Sequence, residues 1–158
     1  MALNDEQQRM IEDFRAWIEQ HVGSNAQWGQ LERHDRQDGS TLATRWPVGE
    51  HLWYEVALRP FLPQARVGIL TDDRWKSEEL EQKIEDSGDS MSEFVEIGFE
   101  TAGLEWPEPP VEHYREQAHF FYFATPLDLS ELTDVADEAI RRKVLQMLEG
   151  YYHAFGGG

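Results

Sequence analysis

Residues 91–102, MSEFVEIGFETA, decide the architecture because they read two ways. Val95, Ile97 and Phe99 alternate as a half-buried strand does, whereas Met91, Phe94, Val95, Gly98 and Ala102 fall at helical spacing. Gly98 and the Phe, Val and Ile content favour the strand. Downstream, Gly103–Pro110 (GLEWPEPP) is a stiff proline loop that no regular element crosses. Glu116–Thr125 follows with the clearest strand pattern: His119, Phe121 and Phe123 on one side, Phe120, Tyr122 and Ala124 on the other. Both sides are apolar, which predicts a mid-sheet strand covered on two faces.

Upstream, Arg74–Asp86 predicts a helix capped by Asp72 or Asp73, with Trp75, Leu80 and Ile84 as its apolar face and Gly88 as its stop. His51–Leu58 and Ala65–Thr71 are alternating segments joined through Pro60 and Pro63, hence an antiparallel pair. Thr41–Trp46 is a short strand, and residues 23–40 are a polar loop or edge strand. Two amphipathic helices close the ends. The first runs from Asp5 to His21 behind an Asn4 cap with Gln7 at the capping-box position. The last runs from about Glu131 or Asp134 to Phe155 along Val135, Ala139, Val144, Met147, Leu148 and Tyr151. The expected fold is α+β: one domain over residues 1–155, an antiparallel sheet of four or five strands and three helices in the order α-β-β-α-β-β-α. Residues 156–158 read as a disordered glycine tail.

A length of 158 residues suits a single domain, and a 40% hydrophobic fraction supplies a core despite a formal charge of −17. The absence of cysteine excludes a disulfide scaffold, a thiolate zinc site and a cysteine nucleophile. No apolar run approaches the length of a membrane span, and the acidic N-terminal segment lacks the core of a signal peptide, so the expected location is cytoplasmic. A negative chain repels phosphate polymers and anionic bilayers, which argues against direct nucleic-acid or membrane binding. Its natural complement is a basic protein.

The acidity is regional. Residues 41–70 hold Glu50 and Glu55 against Arg45, Arg59 and Arg66, whereas residues 78–116 hold thirteen acids against Lys83 and Arg115. Glu93, Glu96, Glu100, Glu105, Glu108 and Glu112 are therefore candidate partner-binding residues, with Trp106 as an aromatic anchor ringed by carboxylates and suited to an arginine. The plain alternative is that the acids serve solvation; only Lys76, Lys83 and Lys143 stand beside eleven arginines. The basic triplet Arg141–Lys143 is explained partly by an i,i+4 pair from Glu138 to Arg142, and equally as a dock for the chain's own acidic loop.

Motifs for chemistry are sparse. His113 and His119, six residues apart, would share a face of one strand and with Glu112 or Glu116 form a minor candidate metal site or small hydrolase centre; a hydrogen-bonded sheet histidine is the simpler reading. Glu81-Gln82-Lys83 has the letters of a nuclease E-x-K but falls in a helix rather than a strand. There is no P-loop, G-x-G-x-x-G or G-x-S-x-G, and no cofactor is expected. These readings point to a non-enzymatic adaptor, chaperone or immunity-type inhibitor that binds a basic protein. The alternative is an acidic DNA mimic that blocks a nucleic-acid-binding protein.

The element order, acidity and low catalytic content resemble the type III secretion chaperone-like fold. That resemblance implies a small α+β domain that holds a partner chain and forms a homodimer. It also implies a third strand before the second helix, for which Thr41–Trp46 is the candidate, and it assigns no functional residue.

Overall fold

The computed structural model describes residues 2–23, 28–116 and 118–156. Helix α1 spans Asp5–Val22, and its capping box is formed: the Asn4 side chain accepts from the Gln7 amide while the Gln7 side chain accepts from the Asn4 amide. The strands are β1 (Glu32–Arg33), β2 (Leu42–Pro47), β3 (Leu52–Arg59), β4 (Gln64–Thr71), β5 (Glu112–Glu116) and β6 (Phe120–Asp128). Helices α2 (Arg74–Ser87) and α3 (Met91–Thr101) separate β4 from β5, and α4 (Glu138–Phe155) ends the chain after a short 3-10 turn at Leu132–Ala136. The sheet is open and antiparallel throughout, in the order β1-β2-β3-β4-β6-β5. The fold is α+β, with four α-helices and six strands where three and four or five were expected. The expected strand at Thr41–Trp46 is β2, one of four strands that precede the second helix.

Residues 91–102 are the main correction: Met91–Thr101 are helix, not strand, and Ala102 is the C-cap. Ser90 accepts from the Glu93 amide and the Glu93 carboxylate accepts from the Ser90 amide, so the S-x-x-E signal at 90–93 starts the helix. Gly98, which argued for a strand, serves helix packing instead. A Cβ there would collide with the Gly150 carbonyl oxygen and lie 2.9 Å from the Ala154 Cβ, so α3 rests directly on the backbone of α4. The same contact buries Val95 and Phe99 completely, each contributing about 2 kcal/mol of apolar transfer. Trp75, expected on the apolar face of α2, is 75% exposed; Ser77, Leu80 and Ile84 are the buried positions. The last helix begins only at Glu138, because Asp137 turns extended and caps it through the Ala139 amide. Gly156 caps α4, and its carbonyl accepts a hydrogen bond from the Tyr54 hydroxyl; 157 and 158 lie outside the described residues. Residues 24–27 of the expected 23–40 loop also lie outside them, and β1 realises its edge-strand alternative.

One face of the sheet carries Tyr54, Val56, Val67, Ile69 and Phe123, which join the buried residues of all four helices in the hydrophobic core. The opposite face carries Arg45, Glu55, Arg66, Gly68, Tyr122 and Ala124, as the register requires. A flat sheet of six strands at about 4.8 Å spacing would hold its edges about 24 Å apart. Yet Arg36, just beyond β1, meets Glu116 of β5 at 2.6 Å. The sheet therefore curls around its polar face, and the hairpin extension of β1 and β2 leans across it. Strand β6 lies inside the sheet, packed by helices on one side and forming part of the concave polar face on the other. Among the described residues no helix is long and apolar enough to cross a membrane.

Candidate functional site

The expected partner-binding residues divide among three elements. Glu93, Glu96 and Glu100 lie at i, i+3 and i+7 along α3, so all three project to one side of that helix. Glu105, Trp106 and Glu108 lie in the α3–β5 connection, and Glu112 opens edge strand β5. The Glu96 carboxylate accepts the Glu108 amide at 3.0 Å and Ser92 donates to the Pro109 carbonyl, pinning the connection against α3. Hydrogen bonds from the Ser90 amide and hydroxyl hold the Glu93 carboxyl below its ordinary value. Glu105, Glu108 and Glu112 are exposed.

Within residues 78–116, four acids have cationic or histidine partners: Glu78 with Arg74, Glu79 with Lys76, Glu81 with His113, and Glu116 with Arg36 and Arg66. The other nine, the six candidate glutamates among them, have no such partner among the described residues. Trp106 is half-buried, stacked on Phe99 with ring centroids 6.0 Å apart. The cation over its ring, at 4.3 Å, is the chain's own Lys143. The exposed apolar residue among the acids is Ile97 instead, 54% exposed and one helical turn from both Glu93 and Glu100. Reading 91–102 as a helix would have found it.

The histidine pair is not assembled. His113 lies on β5, pointing to the helical side, where it bonds Glu81 at 2.8 Å and stacks on Phe123. His119 sits in the β5–β6 turn, edge-on to Phe120, rather than in one strand with His113. Among the described residues no group of three His, Asp or Glu side chains converges as a metal site would require.

The concave face holds a second cluster. Its floor is made of small residues: Gly68, where a Cβ would collide with the backbone at Phe123 and Ala124, lies between Glu55 and Ala124 in the register. Long side chains fold over that floor. Glu55, 2% exposed, binds Arg45 Nε at 2.8 Å and Arg66 Nη2 at 3.3 Å, and accepts the Tyr122 hydroxyl at 3.2 Å. Arg45 also donates to the Tyr122 oxygen at 3.1 Å. Arg66, likewise 2% exposed, lies near the rings of Tyr122 and Tyr114, its guanidinium carbon 4.8 and 5.5 Å from their centroids. Burial works against the charge on Arg45 and Arg66, but the adjacent Glu55 carboxylate outweighs it and keeps both above their ordinary value. Burial raises both tyrosines, so they stay neutral phenols.

Two adjoining spaces open over this cluster. The inner one, about 40 Å³, is lined by Arg36, Arg45, Glu55, Arg66, Glu116 and Tyr122. The outer one, about 410 Å³, is bounded by Trp53, Asp35 and Asp72, and His34, Arg36, Arg45 and Phe120 line both. Sequence reasoning missed this cluster. Its only local signal is one charged residue in the middle of each of three successive strands, Arg45, Glu55 and Arg66. Comparison with protein-family models, curated proteins and solved structures returns no match.

Proposed function

We propose that the chain is a protein-binding module whose α3 face and α3–β5 connection engage a basic partner protein. The observation that carries this reading is the set of nine acids in residues 78–116 without a cationic partner among the described residues, three of them aligned along α3 around the exposed Ile97. Carboxylates that repel one another around an apolar side chain favour a surface that brings arginine or lysine with apolar contact. The element order, helix, four-strand meander, two helices, hairpin and helix, is the feature on which the proposed likeness to chaperone-like domains that hold a partner chain rests.

The test is affinity capture from the native lysate at low and high salt, using the wild type beside a Glu93→Gln, Glu96→Gln, Glu100→Gln variant. A basic protein that binds the wild type and leaves with salt is expected to bind the variant about tenfold more weakly, with a flatter salt dependence. Equal capture by the variant removes α3 as the binding face. Displacement of that partner from the wild type by duplex DNA would instead identify an acidic mimic of nucleic acid.

A further inference from the structure

We propose that the concave face of the sheet is a binding site for a small organic anion whose carboxylate or phosphate enters the inner cavity while its apolar body lies against Trp53 and Phe120.

The charge count of the cavity comes first. Arg36, Arg45 and Arg66 face Glu55 and Glu116, leaving one guanidinium in excess within a chain of net charge −17. A buried cation without a full complement of acceptors is costly, so the excess favours an anion in this space. Arg66 shows where the need lies. Its Nη2 reaches both carboxylates, but Nε and Nη1 are buried and have no hydrogen-bond partner among the described residues. The aromatic faces of Tyr122 and Tyr114 offset part of the charge but provide no oxygen acceptor to those nitrogens.

Size and access agree with that demand. A water needs roughly 10–15 Å³ of such space, so an inner cavity of about 40 Å³ holds a group of a few atoms, the size of an oxyanion head. The outer space of about 410 Å³ is of ligand size and offers an apolar wall, with Trp53 and Phe120 edge to face at 6.2 Å. Arg45 already lies 4.8 Å over the Phe120 ring, linking the charged and aromatic halves. Asp35 and Asp72 border the same mouth, which selects against a polyanion and for a single anionic group on a neutral body.

The test uses the full chain with four probes: benzoate, phenyl phosphate, inorganic phosphate and neutral benzamide. Binding is read by thermal shift and by the arginine side-chain and tryptophan indole NH signals in NMR. Benzoate or phenyl phosphate is expected to bind with Kd below about 10 mM, moving the Arg66 Nε–H and Trp53 signals. Whichever of the two binds more tightly names the head group, and weaker binding by inorganic phosphate shows that the aromatic wall contributes. Arg66→Met should abolish the response. Because that change can also unfold the chain, Arg36→Ala, at a half-exposed position, provides the second variant, expected to weaken binding by about tenfold in a folded protein. The proposal is overturned if neither aromatic anion binds, if benzamide binds equally well, or if folded Arg36→Ala binds as the wild type does.

Discussion

The outward side of α3 and the concave side of the sheet carry opposite excesses of charge and handle them by opposite means. Along α3 and the connection that follows, carboxylates face water, with no cationic partner among the described residues, and the dielectric of the solvent makes their repulsion cheap. Under the sheet, Arg45, Glu55 and Arg66 are withdrawn from water, where each charge requires a partner at hydrogen-bond distance. The net charge of the chain therefore describes its skin and conceals a cationic interior. The acids of 78–116 are neighbours in sequence, whereas the arginine cluster is built by register from β2, β3, β4 and β6.

The largest expected effect breaks the interior arrangement. Glu55→Ala leaves Arg45 and Arg66 without their shared carboxylate and should destabilise the fold by about 3–5 kcal/mol in urea unfolding. The matching truncation outside, Glu100→Ala, should stay within about 0.5 kcal/mol of the wild type. Similar losses at both positions would mean that the interior pairs are as well solvated as the surface, and the contrast between the regions would disappear.

Next in size is the joint that fixes α3, and with it the acidic side, to the rest of the fold. On an unpacked helix Gly98→Ala would stabilise by about 1 kcal/mol through helix propensity. Pressed against the Gly150 carbonyl and Ala154, the new methyl should instead cost about 1–3 kcal/mol. The sign of the change in the unfolding midpoint separates the two. This glycine also shows why 91–102 is hard to read in isolation. Its composition satisfies the strand rule, and the reason for the glycine lies fifty residues away in α4. The Ser90–Glu93 capping box was the local evidence for a helix, and it is realised in the structure.

The elements that local pattern alone defines are the ones legible in the sequence. Helix α1, with its capping box and apolar stripe, and strands β3 and β4, with their alternation, lie within a residue or two of expectation. Strand β1, two residues long, has no periodicity to detect; it is held by Arg33 to Glu12 and Glu19 of α1, and by Arg15 to the neighbouring Asp35. Glu93, Glu96 and Glu100 could be named as candidates because charge density is a local property. Their sharing one side of a helix could not be seen while the segment was read as a strand, and for the same reason the exposed apolar position went to Trp106 rather than Ile97. The concave cluster was out of reach because Arg36 and Glu116 stand eighty residues apart and meet only once the sheet curls.

The smallest predicted effect tests the concave side alone, at the ion pairs that clamp β1 to α1. Burial raises the Glu19 carboxyl, but hydrogen bonds from Arg33 and Thr44 with the charges of Arg33 and Arg15 outweigh it, and the folded value falls below the ordinary one. At Asp35 burial is likewise outweighed by the hydrogen bond and charge of Arg15 and by the Ala43 amide. A depressed carboxyl stabilises the fold at pH above its unfolded value, and that contribution is lost as pH falls through the lower folded value. The starting points of the loss are thus the ordinary values, 4.5 for Glu19 and 3.8 for Asp35, and it deepens below them. Both groups are partly exposed, so solvent screening holds their combined share to about 1 kcal/mol. A Glu19→Gln, Asp35→Asn variant should be weaker than the wild type by about that amount at neutral pH and converge on it in acid. Because these pairs hold the hairpin that brings His34 and Arg36 over the cavity, amide exchange at His34 and Arg36 should quicken in the variant while that of α3 stays unchanged. Equal protection of the hairpin in both proteins would show that the β1–β2 pairing and the Arg36–Glu116 bridge hold it in place without these pairs.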